Sequence, residues 1–261
     1  MPKTTDLVRV QSILDRDRAW SAYALGDLAP EFAPHCSWHV AADDSAIVLL
    51  FRGFDPPILF AMGDAAQLEI LFREIEAATV SLHVQSAAFA RMGSMFRPEF
   101  TRAMWRMTLP AQSFRPPSLD EVVPVDESHT DAVQHLYDDG QQSKESPTFF
   151  QASMLRQGTF RGIWEGQELV AIAGTHQFSP HLGTCAIGNV YTRRDRRKRG
   201  LGARVTSAVV QLALSQSIST IVLNVSQANV AARRVYEQLG FHCHCEFLEG
   251  EAARTLSKLR T

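Results

Sequence analysis

The sequence predicts an α/β (α+β) protein of two domains. Three observations carry that expectation. Apolar runs of strand length, such as Ala46–Phe51 and Thr220–Val225, alternate with stretches of helical spacing, such as Ala65–Thr79 and Gly200–Gln216. The chain has 261 residues, long for one average domain and suited to two of moderate size. The stretch Pro110 to Pro117 carries three prolines, which fix φ, remove donors and favour an extended linker. The boundary therefore falls near residue 115, giving a smaller α/β domain over residues 1–115 and a second domain over residues 116–261.

In the first domain, Ser12–Leu28 has helical spacing, interrupted by Gly26 and stopped by Pro30. Ala46–Phe51 and Ile58–Met62 read as buried strands. Ala65–Thr79 reads as an amphipathic helix with Leu68, Leu71, Phe72 and Ile75 on one face. Val80–Val84 and Arg102–Leu109 are further strands. In the second domain, Val122–Val125 is a strand, and Thr130–Tyr137 opens a helix with Thr130 or Ser128 as its cap. Phe149–Arg156 is a short helix stopped at Gly158. Thr159–Trp164 and Leu169–Gln177 flank the turn Glu165-Gly166-Gln167 as a hairpin. The strand Thr184–Thr192, the helix Gly200–Gln216, the strand Thr220–Val225, the helix Asn229–Leu239 and the strand Phe241–Leu248 complete the order.

Composition narrows the function classes. The net charge is −2, which gives no global electrostatic case for nucleic acid or an anionic membrane surface. No run approaches the roughly 20 apolar residues of a membrane span. The N-terminal residues lack the apolar core of a signal peptide. Four cysteines are too few for a disulfide framework and suit a reducing, cytoplasmic location. A monomer or homodimer is expected.

The main chemical signal is a strand, then Arg197-Lys198-Arg199-Gly200-Leu201-Gly202-Ala203, then a helix. The first turn of a helix has N–H groups without intrahelical partners, and with the helix dipole they form an anion site. Glycines let a backbone approach a pyrophosphate without a Cβ clash. The basic run Arg193 to Arg199 adds positive charge. A basic cluster alone is more often only a solvated loop. A dinucleotide turn needs a small residue where Val205 stands, and no acid follows the next strand, where Asn224 to Gln227 lie. No Gly-Lys-Ser/Thr follows for a P-loop.

A second constellation lies downstream: Asn229-x-x-Ala232-x-x-x-Tyr236-x-x-x-Gly240-Phe241. Asn229 suits a helix N-cap, and Gly240 ends the helix with Phe241 packing back. Ala232 and Tyr236 share a helix face. Fold alone explains Asn229, Gly240 and Phe241; it explains Tyr236 less well, because a buried hydroxyl needs a partner. Together the two constellations resemble the GCN5-related N-acetyltransferase (GNAT) superfamily. The strand Ile187–Thr192 resembles its FR47-like branch, which includes glycine N-acyltransferase-like proteins. The resemblance covers about Val122 to Glu249.

The resemblance implies the GNAT fold, a mixed central sheet with flanking helices. It implies an acetyl-CoA co-substrate, with an amine attacking the thioester directly in a ternary complex. The acceptor is expected to be a small amine or amino acid. A protein N-terminus or lysine is an alternative, and so is a non-catalytic acyl-CoA-binding regulatory module. Carried onto this chain, the turn Arg197, Lys198, Arg199, Gly200, Leu201, Gly202 and Ala203 binds the pyrophosphate. Val190, Tyr191 and Thr192 pair with the pantetheine arm along a bulged strand, and an N–H near Val190 polarises the thioester. Asn229 and Ala232 line the cofactor arm. Tyr236 is the general acid. The strand that often carries a glutamate base has none here; Asn189 can orient water or substrate. His176 is the base candidate on pKa range, ahead of Glu145 and Asp126.

Other signals carry less. Cys243-His244-Cys245 has no second ligand pair at zinc spacing, so buried apolar cysteines are expected and no metal. His35-Cys36-Ser37-Trp38-His39 is similarly unconvincing. Trp20, Trp38 and Trp105 are expected in the N-terminal core. Ser226 lacks the flanking glycines of a nucleophile elbow. The first domain's alternation allows a degenerate second copy of the same fold, but Arg91–Met95 and Met62–Asp64 lack the second glycine, so no CoA site is expected there. The acceptor pocket is expected from the loop Asp138–Phe150 and the N-terminal domain.

Overall fold

A computed structural model of the chain describes residues 3–93, 95–143, 145–147 and 149–255. Ser94, in the stretch Arg91–Met95, and Lys144 and Thr148, in the loop Asp138–Phe150, lie outside the described residues. The chain divides into two compact units. One takes in the chain up to Arg106, Ser226–Ala228 and everything from Cys243 onward; the other holds Met107–Val225 and Asn229–His242. This differs from a single cut at residue 115, because the C-terminal strand pairs with strands of the first unit.

The first unit opens with β1 (Lys3–Thr4), α1 (Leu7–Leu14), α2 (Arg18–Gly26), β2 (Cys36–Val40) and β3 (Ala46–Phe51). It continues with β4 (Ile58–Gly63), α3 (Ala65–Arg73), β5 (Thr79–Val84), α4 (Ser86–Met92) and β6 (Phe96–Thr108), whose last two residues belong to the second unit. The one helix expected over Ser12–Leu28 is two helices. A 3-10 turn at Asp15–Asp17 separates them, and the Asp17 carboxylate restarts the helix by accepting the Trp20 N–H at 3.0 Å. Helix α3 stops well before Thr79, where Glu74 and Ile75 close tight bonds onto Leu71 and Phe72. Strand β2 and helix α4 answer to no element expected from the sequence. Each falls in a stretch too short for its period to register. Trp20 and Trp38 are buried and Trp105 is half-buried.

The second unit holds β7 (Val123–Pro124), α5 (Thr130–Gln141), β8 (Arg161–Glu165), β9 (Glu168–Ser179), β10 (Thr184–Thr192), α6 (Leu201–Ser215), β11 (Thr220–Ser226) and α7 (Val230–Leu239). The N-cap of α5 is His129, without a side-chain cap bond, rather than Thr130 or Ser128, and the capping falls on the 3-10 turn Glu127–His129 before it. The Asp126 carboxylate accepts the Ser128 N–H at 3.0 Å and forms a capping box with His129. The helix expected over Phe149–Arg156 is a 3-10 segment, Ala152–Gln157, ended by Gly158 at φ +68°. The final strand β12 (His242–Arg254) runs six residues past the expected Leu248. On it Cys243 is exposed and Cys245 half-buried, so the two are not the buried apolar pair expected.

Both units repeat one pairing pattern. In the first, β1, β2, β3 and β4 are antiparallel neighbours and β4 meets β5 in parallel. In the second, β7, β8, β9 and β10 are antiparallel and β10 meets β11 in parallel. The chain order of helices and strands matches as well, with the 3-10 segment standing where α2 stands. The strand beside β5 is β12, antiparallel from Leu248↔Val84 to Ala253↔Thr79. Beside β11 lies the end of β6, tied by the Leu109 N–H to the Ile221 carbonyl at 3.0 Å. The sheet of each unit is mixed, with helices against it. In the first unit Leu68, Leu71 and Phe72 of α3 pack on Val48, Leu50 and Leu82. On the other face Trp20 and Leu25 pack on Leu49, Phe60 and Phe247. In the second, Val133, Leu136 and Tyr137 of α5 pack on Ile172 and Tyr191. No described helix is long and apolar enough to cross a membrane.

The helices that follow β4 and β10 start differently. Asp64 caps α3, its carboxylate accepting the Ala66 and Gln67 N–H groups at 3.0 Å each. No side chain caps α6. Asp64→Ala is expected to cost about 1 kcal/mol of stability, the usual worth of such a cap, read as a lower urea midpoint at unchanged slope.

Candidate functional site

Strands β9 and β10 stay paired along most of their length, but β10 bulges. Gly188 faces Gly174 and Tyr191 faces Ile172, so three steps on β10 answer two on β9 across Asn189 and Val190. Asn189 has φ +54°, a left-handed conformation that asparagine tolerates better than most residues. On its other side β10 pairs with β11 only from Thr184↔Thr220 to Ile187↔Leu223. Beyond that pair the parallel ladder ends. A gap between two strands, with backbone groups left over from the ladder, is where an extended polar ligand can bind.

The chain leaves β10 at Thr192, makes a 3-10 turn at Arg194–Arg196 and enters α6 through two left-handed residues, Lys198 (φ +63°) and Gly200 (φ +76°). Gly200 is the N-cap and offers no side chain, so the first-turn N–H groups of α6 face outward uncapped. A Cβ on Gly202 would sit 3.3 Å from Thr192 Oγ1, so a side chain there would rise on the Thr192 side. A surface hollow of about 530 Å³ lies against this end, lined by Pro117, Ser118, Glu121, Arg199, Ala203 and Arg204 among others.

Most of the arginines beside the turn already have carboxylate partners. Arg193 pairs with Glu168 and Asp195, and Arg196 and Arg199 both reach Glu165, at 2.7 and 2.8 Å. Arg197 holds Glu145 with both terminal nitrogens, at 3.1 and 3.2 Å, while its Nε donates to the Thr192 carbonyl and its guanidinium lies 5.6 Å over the Tyr191 ring. Exposed pairs of this kind contribute little each and exchange readily with another anion. The hydrogen bond from Arg197 keeps the Glu145 carboxyl below its usual range. Asp126 is likewise held low by the Ser128 hydroxyl. Both weaker base candidates are therefore committed carboxylates.

Around the bulge the structure gathers several of the expected residues. The His176 imidazole lies flat against Gly188, within 2.4 Å of where a Cβ would stand, and 5.7 Å from the Phe149 ring. Asn189 is buried. Its Nδ2 is 3.5 Å from Met154 Sδ, and its Oδ1 is buried without a partner. The Tyr137 hydroxyl donates to the Asn189 carbonyl at 2.9 Å. Tyr191 donates to Asp139 at 2.9 Å, and the same carboxylate oxygen accepts the Arg194 N–H at 2.9 Å. Sequence reasoning missed Tyr137, Asp139 and Glu165; each meets its partner across 31 to 55 residues, a separation no local pattern reports.

Tyr236 and Asn229 come from α7, which follows β11. The Asn229 Oδ1 accepts the Ala232 N–H at 3.1 Å, so it caps its helix. Tyr236 is buried with its ring 6.0 Å from Phe241, and burial pushes its phenol up to about 12. It is a protonated hydroxyl throughout the neutral range. Among the described residues no group of three or more His, Cys, Asp or Glu could hold a metal ion.

A mixed sheet with a bulged strand, a gap beside it and an open helix N-terminus after it defines the GNAT class of α/β fold. Residues 126–241 match the model of the acetyltransferase (GNAT) family. The fold extends beyond the matched segment. A GCN5-related N-acetyltransferase from Kribbella flavida is 16% identical at a TM-score of 0.62, over 93% of this chain and 96% of that one. A protein from Drosophila is 15% identical at 0.63, over 91% and 88%. A GCN5-related N-acetyltransferase from Sphaerobacter thermophilus is 16% identical at 0.55, over 93% and 91%. Such likenesses establish fold. No curated protein matches the chain.

Asp139 supplies a pH signature. Burial alone would raise its carboxyl, but the Arg194 N–H, the Tyr191 hydroxyl and nearby arginines hold it below the usual range. Its folded pKa is thus lower than the unfolded value of about 4, so its contribution is whole above that value and is lost as pH falls through the folded pKa. Asp139→Asn is expected to flatten the acid limb of stability against pH below about 4, measured by urea unfolding at a series of pH values.

Proposed function

We propose that this protein transfers an acetyl group from acetyl-CoA to a primary amine, by direct attack in a ternary complex. The observation that carries the reading is the uncapped α6 N-terminus beside a strand gap. It offers a helix dipole and free N–H groups to a diphosphate, and leftover strand groups to an amide-bearing arm. In this reading the amides from Arg199 to Ala203 take the CoA pyrophosphate, with Arg197 and Lys198 beside them. Val190, Tyr191 and Thr192 face the pantetheine arm, and Asn229 and Ala232 line its far side.

The chemistry follows from the groups at the bulge. The Val190 N–H donates to the thioester oxygen as negative charge develops there. Asn189 Oδ1, buried and without a partner, accepts from the attacking amine. His176 removes the amine's proton. The new C–N bond forms first, giving a tetrahedral intermediate whose collapse breaks the C–S bond, and the departing thiolate takes a proton from Tyr236. A free thiol has a pKa of about 8.5, so protonation helps only modestly.

The acceptor in this reading is a small amine or amino acid, and the strand Ile187–Thr192 is the basis for placing the chain in the FR47-like branch. Four cysteines, none in a disulfide, support a reducing, cytoplasmic compartment. A non-catalytic acyl-CoA-binding module is the second reading, favoured by the engagement of Glu145 and Asp126 with other groups. CoA release from acetyl-CoA over a panel of amines separates the two. Acceleration by an amine supports the enzyme; tight CoA binding that no amine accelerates supports the module.

Two variants sharpen the test. Gly202→Glu is expected to abolish acyl-CoA binding in calorimetry, since its carboxylate would lie at the helix N-terminus; undiminished binding would move the phosphate elsewhere. Tyr236→Phe is expected to lower kcat on the order of tenfold without abolishing it. An unchanged kcat would remove Tyr236 from the reaction.

A further inference from the structure

We propose that Tyr137 is a positioning residue that aims the Val190 N–H at the thioester carbonyl, a role that rests on the acyl-transfer reading above. The Asn189–Val190 peptide sits in the bulge, where neither residue has a register partner on β9. Nothing in the ladder fixes its orientation. The Tyr137 hydroxyl does, by donating to the Asn189 carbonyl at 2.9 Å in a buried setting. The Asn189–Val190 bond is trans, and in a trans peptide the C=O and N–H point in opposite directions. Holding the carbonyl toward α5 therefore turns the Val190 N–H away from α5. The left-handed Asn189 is the backbone cost of that orientation.

The hydroxyl is itself held firmly. The Tyr137 ring packs edge-on against Phe150 at 5.2 Å and Tyr191 at 6.0 Å. Its own carbonyl accepts from Ser146. Two residues on, Asp139 grips the Tyr191 hydroxyl and the Arg194 N–H. The C-terminal half of α5 thus holds both ends of the segment from Asn189 to Arg194. Burial also raises the Tyr137 phenol, so it stays a protonated donor throughout the neutral range.

The test is isotope-edited infrared spectroscopy of acetyl-CoA labelled with ¹³C at the thioester carbonyl, bound to the full chain. In the wild type the carbonyl stretch is expected at lower wavenumber than in free acetyl-CoA. In Tyr137→Phe most of that shift is expected to vanish and kcat to fall about tenfold, part of what losing an oxyanion donor outright costs. The dissociation constant for CoA is expected to change less than twofold, since the pyrophosphate turn is untouched. Tyr137→Met is a second hydroxyl-free variant should the first fold poorly. A full carbonyl shift in a folded variant overturns the proposal, and so does loss of the shift together with CoA affinity, which marks a merely structural tyrosine. A wild type that binds CoA with no carbonyl shift overturns the Tyr137 role alone if an amine still accelerates CoA release. If no amine does, the acyl-transfer reading falls with it.

Discussion

Four residue pairs join β10 to β11, and the parallel ladder ends at Ile187↔Leu223. The site depends on this limit. A strand in mid-sheet ordinarily spends its donors and acceptors on both neighbours, and backbone polar groups left unpaired and buried are costly. β10 spends them on β9 to its very end but on β11 only over its first half. The bulge at Asn189 and Val190 falls just past the break, so the peptide free of the β9 register lies in the stretch that has no β11 partner. If β11 stayed paired through Thr192, there would be no edge for a ligand to occupy. Tyr137 and Asp139 on α5 then hold the free half in place from one side.

Charge plays a smaller part than the run of arginines suggests. Arg193, Arg196, Arg197 and Arg199 each have a carboxylate within 3.2 Å. These pairs lie at the surface, where solvent and salt weaken them. In the proposed reading, anion binding at the turn therefore rests first on backbone N–H groups, which have no carboxylate to give up. The arginines act as exchangeable partners. Glu145 is the instructive case, because the ion pair that ties it to Arg197 would compete with a phosphate for the same guanidinium.

What could be read in the sequence was local. The turn, helix α6, the Asn229 cap and the glycine that ends α7 all show their physics within a few residues, and the structure has each where the pattern put it. The clamp around the bulge was not legible. Tyr137 and Asn189 lie 52 residues apart, as do Glu145 and Arg197, and a tyrosine on a helix looks the same whether its hydroxyl meets solvent or a strand carbonyl. The stretch from His35 to His39 was set aside as an unconvincing metal site, and its strand went unread for a related reason. Two histidines and a cysteine drew attention to metal chemistry, while the tryptophan and valine that bury β2 carried the structural content. The division of the chain was hidden too, because nothing local tells β12 that its partner is β5.

The repeated element order allows a comparison inside one chain. Helix α3 follows β4 as α6 follows β10, each after the fourth strand of its series and just before a parallel partner. Both begin with first-turn N–H groups that the helix itself cannot use. In α3 the chain supplies the anion itself: Asp64 lies across the Ala66 and Gln67 N–H groups. A phosphate could reach those donors only by displacing a tethered carboxylate of the same sign. In α6 the corresponding position is Gly200, which has no side chain to offer. Stability favours the first arrangement, since a cap of this kind contributes about 1 kcal/mol. A helix that forgoes its cap at a glycine-rich turn, beside a strand that forgoes half its pairing, has given up two ordinary sources of stability at one place. An anionic ligand with a polar arm would restore both.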